Sequence, residues 1–364
     1  MTKIKYHSRN IESLRVERRE LEKKFSTRQR RMLEEIKNYK IIPTVQFLRE
    51  EFGTDYFANI TLDAQHNRLT RAYMEVPTGW RAMSNIVAVT DFKAQNAVAM
   101  SGFDDLDIVP ENGEYPLHRP EDESRGSYQI QKRGAILGLT LEAQANDSLG
   151  AFGRKVAGQG QAAARTLDKF CLTTNLSSNP TIYDSVALVH ANHNNIQAGG
   201  LSAETLKSGI QLMKEQTGIK ADEEIELRPN TLVVHPDDEF LARELLGSPL
   251  QIIQDSDQAG GATPVNSVRG NMNTLRGIIP NLLVTVRMAS AGTDAGRAKW
   301  ALLADPMTTD MFEVGFFQGR TEPELFMENP GAPSEFDSDV SRWKVRHIYN
   351  GAWRDFRGVV GGNF

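Results

Sequence analysis

The chain has 364 residues, 40% hydrophobic and 24% charged, with one cysteine, Cys171. These values exclude a collagenous, fully disordered or membrane-embedded chain and any intramolecular disulfide framework, and the length suits two packed domains or one elongated subunit with arms. The net charge of −5 conceals a split: residues 1–40 hold 13 Lys and Arg against 6 Glu, leaving 29 basic and 41 acidic residues for the rest. A basic leader thus precedes an acidic body, a leader suited to nucleic acid or to the acidic face of a neighbouring subunit. No apolar run approaches the roughly 20 residues that a membrane span needs, and charges follow Met1-Thr2-Lys3-Ile4-Lys5 where a signal peptide would be apolar.

Leu14, Leu21, Phe25, Met32 and Ile36 recur at helical spacing and predict a long amphipathic helix over residues 10 to about 40. Residues 41–93 read as an irregular arm that ends in Pro77-Thr78-Gly79-Trp80-Arg81 and a strand at Asn85 to Val89. Two β-capable runs, Phe103–Val109 and Tyr128–Leu139, flank a polar stretch with a turn signal at Asn112-Gly113 and prolines at 116 and 120. The reading is an extended two-stranded loop whose tip, Pro116 to Gly126, adds little to the subunit's own core. A loop of that length is uncommon unless functional, and a partner surface is its natural destination.

Asn146-Asp147-Ser148 supplies caps for a helix over about Leu149–Thr173, with Leu149, Phe152, Val156, Ala163, Leu167 and Phe170 on one stripe. There follow a helix at Ser202–Gln216, a strand at Thr231–Val234, a helix after Pro236, and strands near Leu282–Met288, Trp300–Ala304 and Met311–Gln318. Over Arg342–Arg357 the residues Trp343, Val345, His347 and Tyr349 alternate with polar ones, as in a half-buried strand. The body is α+β, without the regular βαβ beat of a doubly wound sheet.

Catalytic motifs give little. Gly158-Gln-Gly160-Gln-Ala-Ala163 has the G-x-G-x-x-A spacing, but it falls inside the capped helix and not between a strand and a helix, so close packing or a bend explains the glycines. His190-Ala191-Asn192-His193 offers two imidazoles without a third ligand and reads as a hydrogen-bonded turn. Asp104, Asp105 and Asp107 have no basic or ligating partner within sequence reach and read as a solvated cluster. No enzyme activity, cofactor or metal is expected.

A family resemblance rests on Val109-Pro110-Glu111-Asn112-Gly113-Glu114-Tyr115, then Gly134, Ile136 and Thr140, and above all Asn146-Asp147-Ser148-Leu149-Gly150-Ala151-Phe152. Pro77 with Trp80-Arg81, Asp91-Phe92-Lys93, Leu188 to Asn195, Trp343-Lys344-Val345-Arg346-His347 and Asp355-Phe356-Arg357-Gly358 extend it. In this order they resemble the major capsid proteins of tailed bacteriophages, of the Hong Kong 97 fold, and most closely the major head subunit of Mu-like phages and prophages. Ala135 and Leu141 stand where such sequences often carry arginine, and Asn112 replaces a common glycine. The first 50 or so residues lie outside the match.

With the charged helix and arm read over 1–93, the resemblance implies a P-domain strand and E-loop over 94–140 and a spine helix over 141–177. It implies an A-domain over 178–320 and C-terminal P-domain strands over 321–364. The E-loop residues Glu111, Gly113, Glu114, Tyr115, Arg119 and Arg125 would touch a neighbouring subunit, and Leu14, Leu21, Phe25 and Met32 would make a helix contact. The implied function is a shell of hexamers and pentamers around double-stranded DNA, assembled in the bacterial cytoplasm, with a portal, a scaffold or protease, and decoration proteins as partners and no membrane. Residues 10–38 are expected to stay in the finished particle. An encapsulin-like compartment and a DNA-binding protein acting through the basic leader are the other readings.

Overall fold

The computed structural model describes residues 54–101, 108–111, 113–115, 117, 121–140, 151–220, 225–255, 267–294, 296–328 and 337–364. The expected leader helix, the Asn146–Ser148 cap, the three clustered aspartates and Arg119 lie outside them. The chain divides into two units: residues 1–77, 131–166 and 320–349 form one, and 78–130, 167–319 and 350–364 the other. The chain passes from one unit to the other inside long elements. Among the described residues no helix is long and apolar enough to cross a membrane.

In the first unit, α1 spans Thr54–Glu75 and α2 begins at Ala151. Three strands accompany them: β4 at Gln131–Thr140, β12 at Glu324–Met327, and β13 at Val340–Trp353 up to residue 349. β13 lies between the other two, antiparallel to both, with Val345 opposite Leu325 on one side and Ala135 on the other. The residues of the alternation, Trp343, Val345, His347 and Tyr349, are all buried, and Ile348 on the opposite face is buried as well. Trp343 and Val345 join Leu69, Val156 and Leu325 in one apolar cluster, with Leu137 and Met327 packed against it.

α1 corrects the expectation of an irregular arm over 41–93. Its buried face is Gln65, Leu69, Ala72 and Tyr73, the i, i+4, i+7, i+8 spacing of one helical stripe. A glutamine at one end and a short alanine within it hid the stripe. Gly160 of α2 sits against the backbone carbonyl of Leu69, whereas nothing lies near the Cβ position of Gly158. The two glycines of the apparent nucleotide motif therefore differ: one permits a close helix approach, the other faces open space. Gly160→Ala should cost roughly 1–3 kcal/mol through overpacking, while Gly158→Ala should be neutral or raise stability by up to about 1 kcal/mol through helix propensity. Thermal melting of the two variants checks the contrast.

His347 is buried edge-on to Tyr73 and Tyr349, with Nε2 donating to the Thr321 carbonyl at 3.1 Å. Burial pushes its imidazole down to about 4 from the usual 6.5, helped by nearby Arg133 and opposed by the Thr321 hydrogen bond. The folded unit thus keeps His347 neutral where the unfolded chain would take up a proton. Its contribution to stability is complete above the unfolded value and is lost as pH falls from about 6.5 toward 4, by roughly 3 kcal/mol in all. Denaturant unfolding across that window should show the loss, and His347→Phe should flatten it.

The second unit has a five-stranded sheet in the order β5 (Ile196–Gln197), β14 (Val359–Gly362), β10 (Trp300–Ala304), β6 (Pro229–Val234), β9 (Asn281–Val284). β10 is central and every one of its residues is buried, as its unbroken apolar run demands. Helix α3, Ala203–Lys214, starts where expected, with Ser202 and Thr205 forming a reciprocal cap. α4 follows Pro236 at Glu239–Gly247. β14 pairs with β10, so the last strand of the expected 321–364 group belongs to this sheet instead. Its glycines allow that: Gly361 lies under Val189, and Gly362 under Trp300, with no room for a side chain.

Also in this unit, β1 (Ser84–Val89) runs parallel to β11 (Phe312–Phe317). β2 (Val98–Met100) and β3 (Asp122–Ser124) form a short ribbon, and β7 (Leu250–Asp255) pairs with β8 (Ser267–Met272). α2 ends at Asp168 and continues as a π-helical stretch over Lys169–Ser177. The buried Asp168 carboxylate closes this junction, with Oδ1 accepting from the backbone N–H of Gly79 at 2.8 Å and of Trp80 at 3.2 Å.

Candidate functional site: a loop root held by buried arginines

The expected contact residues separate into two environments. Glu111 and Glu114 are exposed, and Gly113 closes a turn by donating its N–H to the Pro110 carbonyl at 2.9 Å. Around them Ile108 is 98% exposed, Tyr115 86% and Leu117 80%. Arg119 lies outside the described residues. Arg125, also expected to meet a neighbour, has a side chain only 7% exposed that is ion-paired within its own chain.

Arg125 belongs to a cluster that unites three parts of the chain. The ribbon supplies Glu123 and Arg125, β11 supplies Glu313, and the turn between β13 and β14 supplies Arg354, Asp355 and Arg357. The Arg125 guanidinium meets Glu123 Oε2 and Asp355 Oδ2, each at 2.9 Å. It also donates to the Arg354 carbonyl at 2.7 Å and to the Tyr183 hydroxyl at 3.1 Å. Arg354 grips Glu313 bidentately, with both bonds at 3.0 Å, and donates to the carbonyls of Gln95 and Gly126. Arg357 donates to the carbonyls of Thr217 at 2.8 Å and Gly218 at 2.9 Å, just beyond α3, and pairs with Asp355 at 3.2 Å and Glu123 at 3.4 Å.

Three guanidiniums, each no more than 10% exposed, face three carboxylates. Burial alone would lower the Arg357 value, but Asp355 and Glu123 outweigh it, so Arg357 is raised and stays charged. Two tyrosines seal the cluster. Burial raises Tyr128 well above the usual phenol range, reinforced by the hydrogen bond its hydroxyl donates to Glu313 at 2.5 Å. Burial likewise raises Tyr183, against the pull of Arg125. The arrangement is mechanical: it holds a ribbon to a body through directional, charge-assisted bonds.

Sequence reading missed Glu123, Glu313, Tyr128, Tyr183 and Arg354 as site residues. The one available signal was Asp355-Phe356-Arg357, quoted above for the resemblance but without a role. The His190–His193 turn is hydrogen-bonded as expected. His193 Nε2 lies 2.5 Å from Asp184 Oδ2 and Nδ1 3.1 Å from the Leu188 carbonyl, with the ring stacked on Phe356 at 3.9 Å. Among the described residues no group of three or more His, Cys, Asp or Glu could hold a metal ion.

Arg354→Ala would strip Glu313 of its counter-charge and remove the side-chain donor to the Gly126 carbonyl. The expected cost is about 3–5 kcal/mol in denaturant unfolding, and Arg354→Lys should recover little of it because an ammonium cannot reproduce the two-pronged grip.

A family model described as phage capsid protein matches residues 123–361, well over half of the chain. A search of curated proteins found no match. Among solved structures, the capsid of the cyanophage P-SCSP1u is similar at 9% identity, covering 79% of this chain and 88% of its own, with a TM-score of 0.50. A Microbacterium phage Oxtober96 structure is similar at 13% identity, covering 79% of this chain and 91% of its own, with a TM-score of 0.49. A virus-like particle from Pyrococcus furiosus is similar at 10% identity, covering 83% of this chain and 98% of its own, with a TM-score of 0.47.

Proposed function

The chain belongs to the phage capsid protein family and is a major capsid protein, and we propose that its copies join into hexamers and pentamers that close an icosahedral shell around double-stranded DNA. The observation that carries this reading is the contrast within one segment: a root buried by ion pairs, and beyond it Ile108, Tyr115 and Leu117 almost fully exposed. Apolar side chains on a rigidly mounted arm find cover only on another molecule, and a second copy of the same chain supplies a repeating one. The acidic body suits a container wall that must not grip its cargo. In the same reading the leader stripe of Leu14, Leu21, Phe25 and Met32 packs on protein. Portal, scaffold or protease, and decoration proteins are its further partners, and assembly takes place in the host cytoplasm.

Sedimentation and electron microscopy of the purified full-length chain test the proposal. Closed particles are expected, and a compact monomer that persists even with scaffold and portal present would sink it. The double variant Tyr115→Ser with Leu117→Ser should keep the wild-type melting curve while particle yield falls. Deleting the whole stretch from Pro116 to Gly126 would not be a clean test, because that cut removes Glu123 and Arg125 from the buried cluster.

A further inference from the structure

Resting on the reading of the ribbon as the root of an assembly arm, we propose that Glu123 is a positioning residue for shell assembly. Its carboxylate, shared by Arg125 and Arg357, sets the direction in which the arm leaves the body.

The ribbon needs such a device. It has three residue pairs, Val98 with Ser124, Ala99 with Glu123 and Met100 with Asp122, and a two-stranded ribbon alone is marginal in water. Apolar packing does not hold it, since Val98 and Met100 are 64% and 67% exposed. Backbone bonds from Ser101 N–H to Glu121 at 2.8 Å and from Arg125 N–H to Ala97 at 2.9 Å tie its two strands together, but they do not orient the pair.

Orientation comes from two side chains on either side of Ser124. Arg125, just past β3, is pinned by Asp355, Tyr183 and the Arg354 carbonyl. Arg354 holds the same end of the ribbon through the carbonyls of Gln95 and Gly126. Glu123, inside β3, reaches Arg357 at 3.4 Å as well as Arg125 at 2.9 Å. Arg357 is itself immobilised by the carbonyls of Thr217 and Gly218 and by Asp355. Of these contacts Glu123 is the one nearest the arm, so it fixes the ribbon where the others do not reach.

The seat also survives without its occupant. With Glu123 neutralised, both arginines keep Asp355 and all their carbonyl partners, so removing the charge frees the ribbon without unfolding the unit. This separates a positioning role from a purely structural one.

The test compares full-length wild type, Glu123→Gln and Glu123→Asp by three readouts: melting, amide hydrogen exchange, and particle yield by sedimentation with imaging. Glu123→Gln should melt like wild type and exchange faster at the Ser101 and Arg125 amides, with β10 amides unchanged. Its particle yield should drop about tenfold or give aberrant shells, because the weakened contact recurs in every copy. Glu123→Asp, which keeps the charge but shortens the reach, should recover part of both. Wild-type exchange at the ribbon amides, or wild-type assembly of Glu123→Gln, overturns the inference. If Glu123→Gln fails to fold, Glu123→Asp decides by the same readouts; if neither folds, Glu123 is a stability residue and the inference is wrong. Failure of the wild type itself to form particles would instead defeat the functional reading, and this inference would fall with it.

Discussion

Burying an arginine is permissible only when its charge is met and most of its donors are bonded, and that constraint organises the second unit. Arg125, Arg354 and Arg357 cannot shed a proton to escape the cost, so each must find carboxylates and carbonyls in fixed directions. The donors they turn outward recruit segments far apart in sequence: Gln95 and Gly126 beside the ribbon, Thr217 and Gly218 beyond α3, Glu313 on β11 and Asp355 in the final turn. An apolar cluster of similar size would bury more surface at less cost, but it would tolerate sliding. Ion pairs with bidentate geometry do not, and a ribbon whose Val98 and Met100 stay exposed gains more from a fixed angle than from additional stability.

The elements legible in the sequence are those whose signal is local. β10 was a bare apolar run, α3 carried its own cap, and β13 showed its alternation in Trp343, Val345, His347 and Tyr349. α1 was missed because Gln65 occupies a position of the buried stripe, and Ala72 contributes little hydrophobic weight beside Leu69 and Tyr73. β14 was missed because Val359-Val360-Gly361-Gly362 reads as a glycine-rich tail until the side chains of Val189 and Trp300 are seen covering it. The arginine cluster is the clearest case of information that exists only in three dimensions. Asp355 and Arg357 were noticed, yet Glu123 pairs with Arg357 across 234 positions of sequence and no spacing rule connects them.

Glycine and histidine show how one motif can mislead in opposite ways. The Gly158–Ala163 spacing resembles a nucleotide loop, but in the middle of a helix its meaning divides, since Gly160 admits the Leu69 carbonyl and Gly158 admits nothing. The paired imidazoles of His190 and His193 resemble metal ligands, but His193 is already engaged on both ring nitrogens and stacked on Phe356. Residue type and spacing nominate chemistry; the partners already present decide whether any coordination is left to offer.

A rigid root also changes what association costs. An arm that ordered only on meeting its partner would lose conformational freedom at each contact, and a shell would repeat that loss in every copy. Here the ribbon's backbone bonds and its ion pairs are satisfied within one chain, so that share of the ordering is complete before any neighbour arrives. In the proposed shell, what remains for association is the burial of exposed apolar groups, Val98 and Met100 on the ribbon and Ile108, Tyr115 and Leu117 beyond it. Each such group is worth roughly 1.5–3 kcal/mol when fully covered, so a single contact stays weak enough to break and re-form while subunits find their places. Closure then holds the shell through the number of contacts rather than the strength of any one. Directional polar bonds within the subunit and modest apolar contacts between subunits are complementary parts of that division.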